Sequence, residues 1–510
     1  MAGPDRGAAT ITPTTTQPDR ARLGRSCLAA LLVAFFVSRA VAYIAGVRFD
    51  DTFIEGQWQL LDTDLLRHHL LQSLWYLHDQ PPLLNAFVGI VLHLPVGLQH
   101  KAFAATYLGF GLLLLVSLAC LMVELGVPRR IATALTILFM VGPATVLYEN
   151  WLYYTYPTAA LLTFAALALL RWARTNRRVW AFGFFFSLAT VALARSTWHL
   201  AWLVLVVVMA MAAQRVRWRE VLITAFVPLL LVTGLYVKND VLFGSPAASS
   251  WQGQTLAYIT LLHLPDAERH RMVDDGELSK FALVGPFARL RLYDSLLSPE
   301  KPTGVPALDE RQKANGDANL NNIRYVDIDR EYLHDALVIA RTHPSVVLEG
   351  IAYSGRFLFI PAADYYGLAP NRKNIEWWYT GYITVVEGRF GSQPISGNWG
   401  ELLGYVPKSY YGPQSRPGVV IVLEYLLATL GAAYALFGLT RRRLRATASQ
   451  LTVAFMSLTL MWGLLSSLLV GSGENNRFRF EIDPLALVLA AWTVHRLIAR
   501  RRAKVRAAAA

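Results

Sequence analysis

Residues 25–51 read RSCLAALLVAFFVSRAVAYIAGVRFDD. From Cys27 to Val47 the run is apolar with one charge inside it, Arg39, and it ends on two acids, Asp50 and Asp51. A helix of about 20 apolar residues crosses a bilayer. Arg20, Arg22 and Arg25 stand before the run, which places its start on the cytoplasmic side, where basic residues collect. Ala40-Val41-Ala42 has the small residues of a signal-peptidase site. The acid pair gains a use only if the helix is kept, so we read an uncleaved first span.

Working outward, the same pattern recurs. Apolar runs of spanning length lie at about 27–47, 102–124, 131–148, 157–171, 179–194, 199–213, 220–238, 418–439, 449–470 and 484–499. The chain has 510 residues, of which 54% are hydrophobic and 16% charged, well below the roughly 25% charge of a soluble domain. The net charge of +13 gathers in short clusters between the runs. That is the signature of cytoplasmic loops, and no basic groove motif points to nucleic acid. Cys27 and Cys120 lie in apolar runs without metal-ligand spacing, so neither disulfide nor metal nor cofactor is expected.

Residues 82–98 are apolar but hold His93 and Pro95. Counted as a span, they would put the clusters at Arg129-Arg130, Arg171–Arg178, Arg215–Arg219, Arg441–Arg445 and Arg500–Arg506 outside the cell. We therefore read 82–98 as an interfacial or re-entrant helix. Residues 54–77 carry Ile54, Trp58, Leu61 and Leu65, then Leu66, Leu70, Leu74 and Leu77, at helical spacing, which predicts an amphipathic helix on the membrane.

The expected fold is an all-α polytopic membrane protein of about ten transmembrane helices, with an extracytoplasmic α or α+β domain. Its parts are a disordered tail at 1–22, an N-terminal transmembrane module at 23–238 with a first outer loop at 48–101, and the outer domain at 239–417. C-terminal transmembrane helices follow at 418–500, then a basic tail at 501–510. Both termini face the cytoplasm of an inner or plasma membrane.

Polar residues that could carry chemistry gather in the outer loops. A carboxylate at Asp50 or Asp51, beside the headgroup layer, can take a proton from a hydroxyl attacking a lipid-linked substrate. The bland alternative is a helix cap. Asp79-Gln80-Pro81-Pro82-Leu83 form a proline-fixed turn, with His78 just before it. Tyr148 to Tyr156 hold Glu149 among aromatics that include Tyr153; they make either an interface belt or a sugar platform. Arg195 in a short outer turn, Lys238 at an outer span end and Arg39 inside the first span invite anionic partners such as a lipid phosphate. Arg477-Phe478-Arg479 lie between Glu474 and Glu481. The arginines could grip a phosphate or simply pair with the two acids.

One span, an outer loop opening on an acidic pair, interfacial helices and a polar-Pro-Pro-Leu turn together resemble the GT-C superfamily of glycosyltransferases. The protein O-mannosyltransferase-like and aminoarabinose-transferase-like branches are the most similar. Glu474 to Phe480 is similar to the Arg-aromatic-Arg segment before the last span of many bacterial members. The resemblance covers about 20–240 and 418–500 and implies a polyprenyl-phosphate sugar donor, Asp50 or Asp51 as base, and an inverted anomeric centre. Arg195, Arg477, Arg479 and Lys238 would hold the donor phosphate. Glu149, Tyr153, His78 and Glu474 would touch sugar or acceptor, an envelope polysaccharide, glycolipid or protein. Most members need no catalytic metal. Gln80 stands where the mannosyltransferases carry His, and Asn85 where a Lys often follows, which leaves branch and sugar open. The rival readings are a polyprenyl-lipid flippase or transporter and a polysaccharide polymerase or ligase.

Overall fold

The computed structural model describes residues 23–52, 54–213, 217–388, 416–441, 447–471 and 473–509. The expected tail at 1–22, the 389–415 part of the polar segment, and parts of the clusters at Arg215–Arg219 and Arg441–Arg445 lie outside these residues.

Among the described residues the fold is all-helical. Two isolated β-bridges join Asp50 with Trp151 and Gln312 with Ala318. Among the described residues five helices are long and apolar enough to cross a membrane: Arg25–Ile44, Val96–Glu124, Thr155–Thr175, Trp218–Phe243 and Ala448–Val470. A sixth forms if Arg129–Met140 and Pro143–Glu149, which meet at 59°, count as one broken span. The run expected at 131–148 is thus bent, because Pro143 has no N–H to continue the first helix and is well placed to begin the second. Pro82–Leu92, Arg178–Ala194, Leu200–Ala213 and Val419–Ala435 are shorter apolar helices. Nine of the ten expected runs each fall on one helix, the last on Asp483–Ala509, and the run at 131–148 falls on the bent pair.

Thr155–Thr175 is the central helix, 72% buried over its most apolar stretch. It packs on Arg178–Ala194, Val96–Glu124 and Ala448–Val470. Ala159, Ala160, Ala165, Ala166 and Ala168 let neighbours approach closely. The Thr163 hydroxyl donates back to the Ala159 carbonyl at 2.7 Å and leaves no polar atom unsatisfied there.

Two expected elements differ. The predicted helix over 54–77 is a series of turns as far as Leu60 and Leu61, then two short helices, Thr63–His68 and Leu70–Trp75. Leu61, Leu65, Leu66 and Leu77 are buried as their spacing implied, but side-chain hydrogen bonds hold the preceding backbone out of a helix. Asn85 accepts from Leu61 N at 2.8 Å and donates to the Gln59 carbonyl at 2.9 Å, while Lys313 donates to the Gln57 carbonyl at 2.7 Å. The predicted helix over 82–98 ends at Leu92, and Pro95 caps a 29-residue helix starting at Val96. A helix seldom runs through an X-Pro step, so the chain turns there.

The polar segment from Gly244 to Gly388 is built of short helices around Arg324–Thr342. The Gln252–Ala257 helix lies against it at Gly253, where a Cβ would stand 2.1 Å from the Asp329 carbonyl oxygen. This segment is joined to the first loop. His78 N donates to Asn321 Oδ1 at 2.8 Å, and the Ser249 hydroxyl donates to the Asp79 carbonyl at 2.5 Å.

Candidate functional site

The first loop, the polar segment and the ends of several apolar helices enclose a cavity of about 860 Å³. Asp50 reaches its wall because the chain after the first helix pairs with the aromatic loop. Asp50 N donates to the Asn150 carbonyl at 2.8 Å, and Leu152 N to the Asp50 carbonyl at 3.0 Å. Asp50 Oδ1 accepts from Thr52 N at 3.1 Å and from the Thr52 hydroxyl at 2.7 Å. Asp51 points elsewhere, to His100 Nδ1 at 3.2 Å, and does not line the cavity.

Arg195 and Arg477 line the same cavity, at 2% and 1% exposure. Arg195 comes from the turn between Arg178–Ala194 and Leu200–Ala213, and pairs with Glu481. Arg477 comes from the short Asn475–Phe480 helix and pairs with Glu474, which also accepts from the Tyr365 hydroxyl at 2.9 Å. Two buried guanidiniums side by side repel. The Phe478 ring lies against both, with its centroid 4.0 Å from the Arg195 guanidinium carbon and 4.7 Å from that of Arg477. Tyr154 does the same at 4.9 and 5.6 Å. Aromatic faces are negative and stabilise both cations. Burial, together with the charge of Arg477, pulls the Arg195 pKa down to about 10, still protonated at neutral pH. The Nε–H of each arginine is buried without a hydrogen-bond partner among the described residues.

Arg479 does not reach the cavity. On a helix, residues two apart point about 200° from one another, so Arg479 turns away to Asp483 at 3.1 Å and to the Leu358 carbonyl at 3.0 Å. Lys238 donates to the Leu77 carbonyl at 2.5 Å, behind the wall. His78 is fully enclosed between Ser250 Oγ at 2.7 Å and the Asn321 carbonyl at 2.9 Å, where burial lowers its pKa to about 3 and keeps it neutral. Glu149 binds Arg39 through two bonds of 2.9 and 2.7 Å, and accepts from Tyr156 at 2.7 Å. Gly111 makes room for it, since a Cβ there would lie 2.3 Å from its carboxylate. This pair borders a second cavity of about 470 Å³. It also answers why Arg39 is tolerated inside the first helix.

The structure therefore brings together Asp50, Tyr153, Arg195, Glu474 and Arg477 on one cavity, and places Asp51, His78, Glu149, Lys238 and Arg479 off it. Tyr154, from the aromatic stretch Tyr148 to Tyr156, lines it too, as do Trp58, Trp251, Phe287 and Tyr365, which sequence reasoning missed as site residues. Trp58 was read only as part of an apolar stripe. Trp251, Phe287 and Tyr365 sit in a polar segment without periodicity, so nothing in the sequence marks them.

No protein-family model matches the chain, and no curated protein matches it. Among solved structures it is similar to the archaeal oligosaccharyltransferase AglB from Archaeoglobus fulgidus, in complex with an inhibitory peptide and a dolichol-phosphate, at 10% identity and a TM-score of 0.40. The match covers 95% of this chain and 52% of that one, so this chain spans about half the length of that protein. At that level of likeness, function rests on the residues of the cavity alone.

Proposed function

We propose that this chain is a GT-C type membrane glycosyltransferase that moves a sugar from a polyprenyl-phosphate donor to an envelope acceptor at the outer face of the membrane. One observation carries the reading. Two buried guanidiniums, each with an unpartnered N–H, share a cavity with a carboxylate one of whose oxygens, Oδ1, is already held. Buried polar hydrogens without partners are costly, and a phosphate oxygen is their natural acceptor.

The chemistry follows from those positions. Arg195 and Arg477 hold the donor phosphate and stabilise it as it leaves. Asp50 Oδ2 takes the proton from the acceptor hydroxyl as its oxygen attacks the anomeric carbon. The anomeric C–O bond to phosphate breaks, and polyprenyl phosphate departs with the bonding electrons. Attack opposite the leaving group inverts the centre. Leu465 and Leu469, on the Ala448–Val470 helix, line the cavity from the side of the apolar helices, and we assign them to the first isoprene units. The acidic partners Glu474 and Glu481 keep the site near neutrality and hold the guanidiniums in place.

The test uses purified protein in vesicles with labelled polyprenyl-phosphate mannose, arabinose or glucose and an envelope extract. The reading predicts transfer of label from one donor with release of polyprenyl phosphate. Absence of transfer from every donor, with protein-dependent movement of the lipid between leaflets, would favour a flippase instead.

A further inference from the structure

The cavity has a second end, chemically unlike the arginine end. Its wall comes from residues 56–59, Gln80 and the stretch 247–287, and none of the lining residues there is charged. Three aromatic rings converge on Phe287. Trp58 lies 5.6 Å from it, Trp251 5.1 Å, and Tyr258 5.7 Å in a stacked arrangement. Gln57, Gln59 and Gln252 line the cavity beside them.

This end is built rather than incidental. Phe287 sits at φ +58, a conformation side chains rarely adopt. It is fixed there by Gln254 Oε1, which accepts from Phe287 N at 2.8 Å, and Gln254 N is in turn held by Asp329 at 3.0 Å. Strained backbone persists where surrounding structure enforces it, and often at ligand sites. The loop carrying Trp58 is pinned by the Asn85 and Lys313 bonds described above. Trp251 is 8% exposed, lines the cavity, and its indole N–H has no acceptor among the described residues. A buried indole N–H ordinarily finds a partner.

We infer that this end binds a neutral glycan, so that the acceptor is a carbohydrate chain rather than a polypeptide. Sugar rings present C–H faces that stack on aromatic rings, and paired hydroxyls that match side-chain amides and an indole N–H. Lack of charge disfavours a charged peptide or a second phosphate, since a charged group there would be buried without a counter-ion. The inference rests on the transfer reading for what happens at Asp50, but the binding itself does not depend on it.

The experiment measures binding of two neutral probes, α-1,6-mannohexaose and an arabinofuranosyl hexasaccharide, to the full chain in nanodiscs. Saturation-transfer NMR and tryptophan fluorescence give the readout, and polyprenyl phosphate is titrated separately. One of the probes is expected to bind. Trp58→Ala, at a position 39% exposed and so tolerant of truncation, should weaken it roughly tenfold or more, the usual cost of removing a tryptophan anchor. Its polyprenyl phosphate affinity should not change. Trp251→Phe, which keeps a ring but removes the N–H, should weaken the glycan by a smaller factor. The proposal is overturned if neither hexasaccharide binds while polyprenyl phosphate does, or if Trp58→Ala and Trp251→Phe bind the glycan as tightly as wild type. Glycan binding without polyprenyl phosphate binding would sustain this inference and remove the transfer reading.

Discussion

Arg477 and Arg479 are two residues apart and do different work. Arg477 faces the cavity and Arg479 braces Asp483. Arg477→Ala should lower polyprenyl phosphate affinity by roughly 10- to 100-fold, the worth of a charged hydrogen bond. Arg479→Ala should leave that affinity within about twofold and lower thermal stability instead, because it leaves the half-buried Asp483 with the Tyr425 hydroxyl but without its cation. Isothermal titration and melting curves on both variants separate the two roles. The helix geometry that splits them was available from the sequence once 475–480 was taken as helical. Which arginine faces inward was not, since that depends on Tyr154 and the Leu358 carbonyl arriving from elsewhere.

Asp79 makes a pH prediction at the same scale. It is 2% exposed, and one carboxylate oxygen has no hydrogen-bond partner among the described residues. Burial raises its pKa to about 7 from 3.8, against the opposing pull of Lys313. The folded-state value lies above the unfolded one, so the unfolded chain loses this proton first as pH rises. Stability conferred by the protonated form is therefore lost between about pH 4 and 7, by an amount on the order of a few kcal/mol. Buried neutral His78 acts in the opposite sense at low pH, so the clean quantity is a difference. The melting temperature of Asp79→Asn minus that of wild type should grow from pH 4.5 to 7.5. A difference independent of pH would show that Asp79 is ionised throughout.

At the scale of elements, the apolar runs were legible and the loops were not. Spans follow from local composition, and Pro143 and Pro95 mark breaks, although Pro228 stands inside the continuous Trp218–Phe243 helix. The 54–77 stripe marked Leu61, Leu65, Leu66 and Leu77 as buried, though Trp58 is exposed, and it did not fix the backbone, because long-range bonds from Asn85 and Lys313 override local helix preference. The close contact at Gly253 carries the helix that presents Gln252 to the cavity. Gly253→Ala would push a methyl into the Asp329 carbonyl and the Leu333 amide. We expect a loss of roughly 1–3 kcal/mol, as for overpacking, and weaker hexasaccharide binding, read by melting curves and NMR. An unchanged melting temperature would mean the two helices are freer to separate than the contact implies.

For the molecule as a whole, the claim is that first loop and polar segment form one body on the outer side, with basic clusters opposite. Single cysteines in a background lacking Cys27 and Cys120 test it. Position 270, exposed on the Asp266–Asp274 helix, should label with an impermeant maleimide from outside intact cells. Position 177, exposed between Thr155–Thr175 and Arg178–Ala194, should label only after permeabilisation. Labelling of both from one side would break the topology. The membrane class and the loop sidedness were arguable from charge and hydropathy alone. The cavity was not, because its wall is drawn from segments hundreds of residues apart, such as Trp58, Trp251 and Arg477.

The most direct test of the central claim is single-turnover transfer from polyprenyl-phosphate sugar by Asp50→Asn and Asp51→Asn beside wild type, with donor affinity measured on each. Asp50 lines the cavity and Asp51 is turned to His100. The account predicts that Asp50→Asn abolishes transfer while binding donor normally, and that Asp51→Asn retains most of the rate. Transfer undiminished in Asp50→Asn would contradict it.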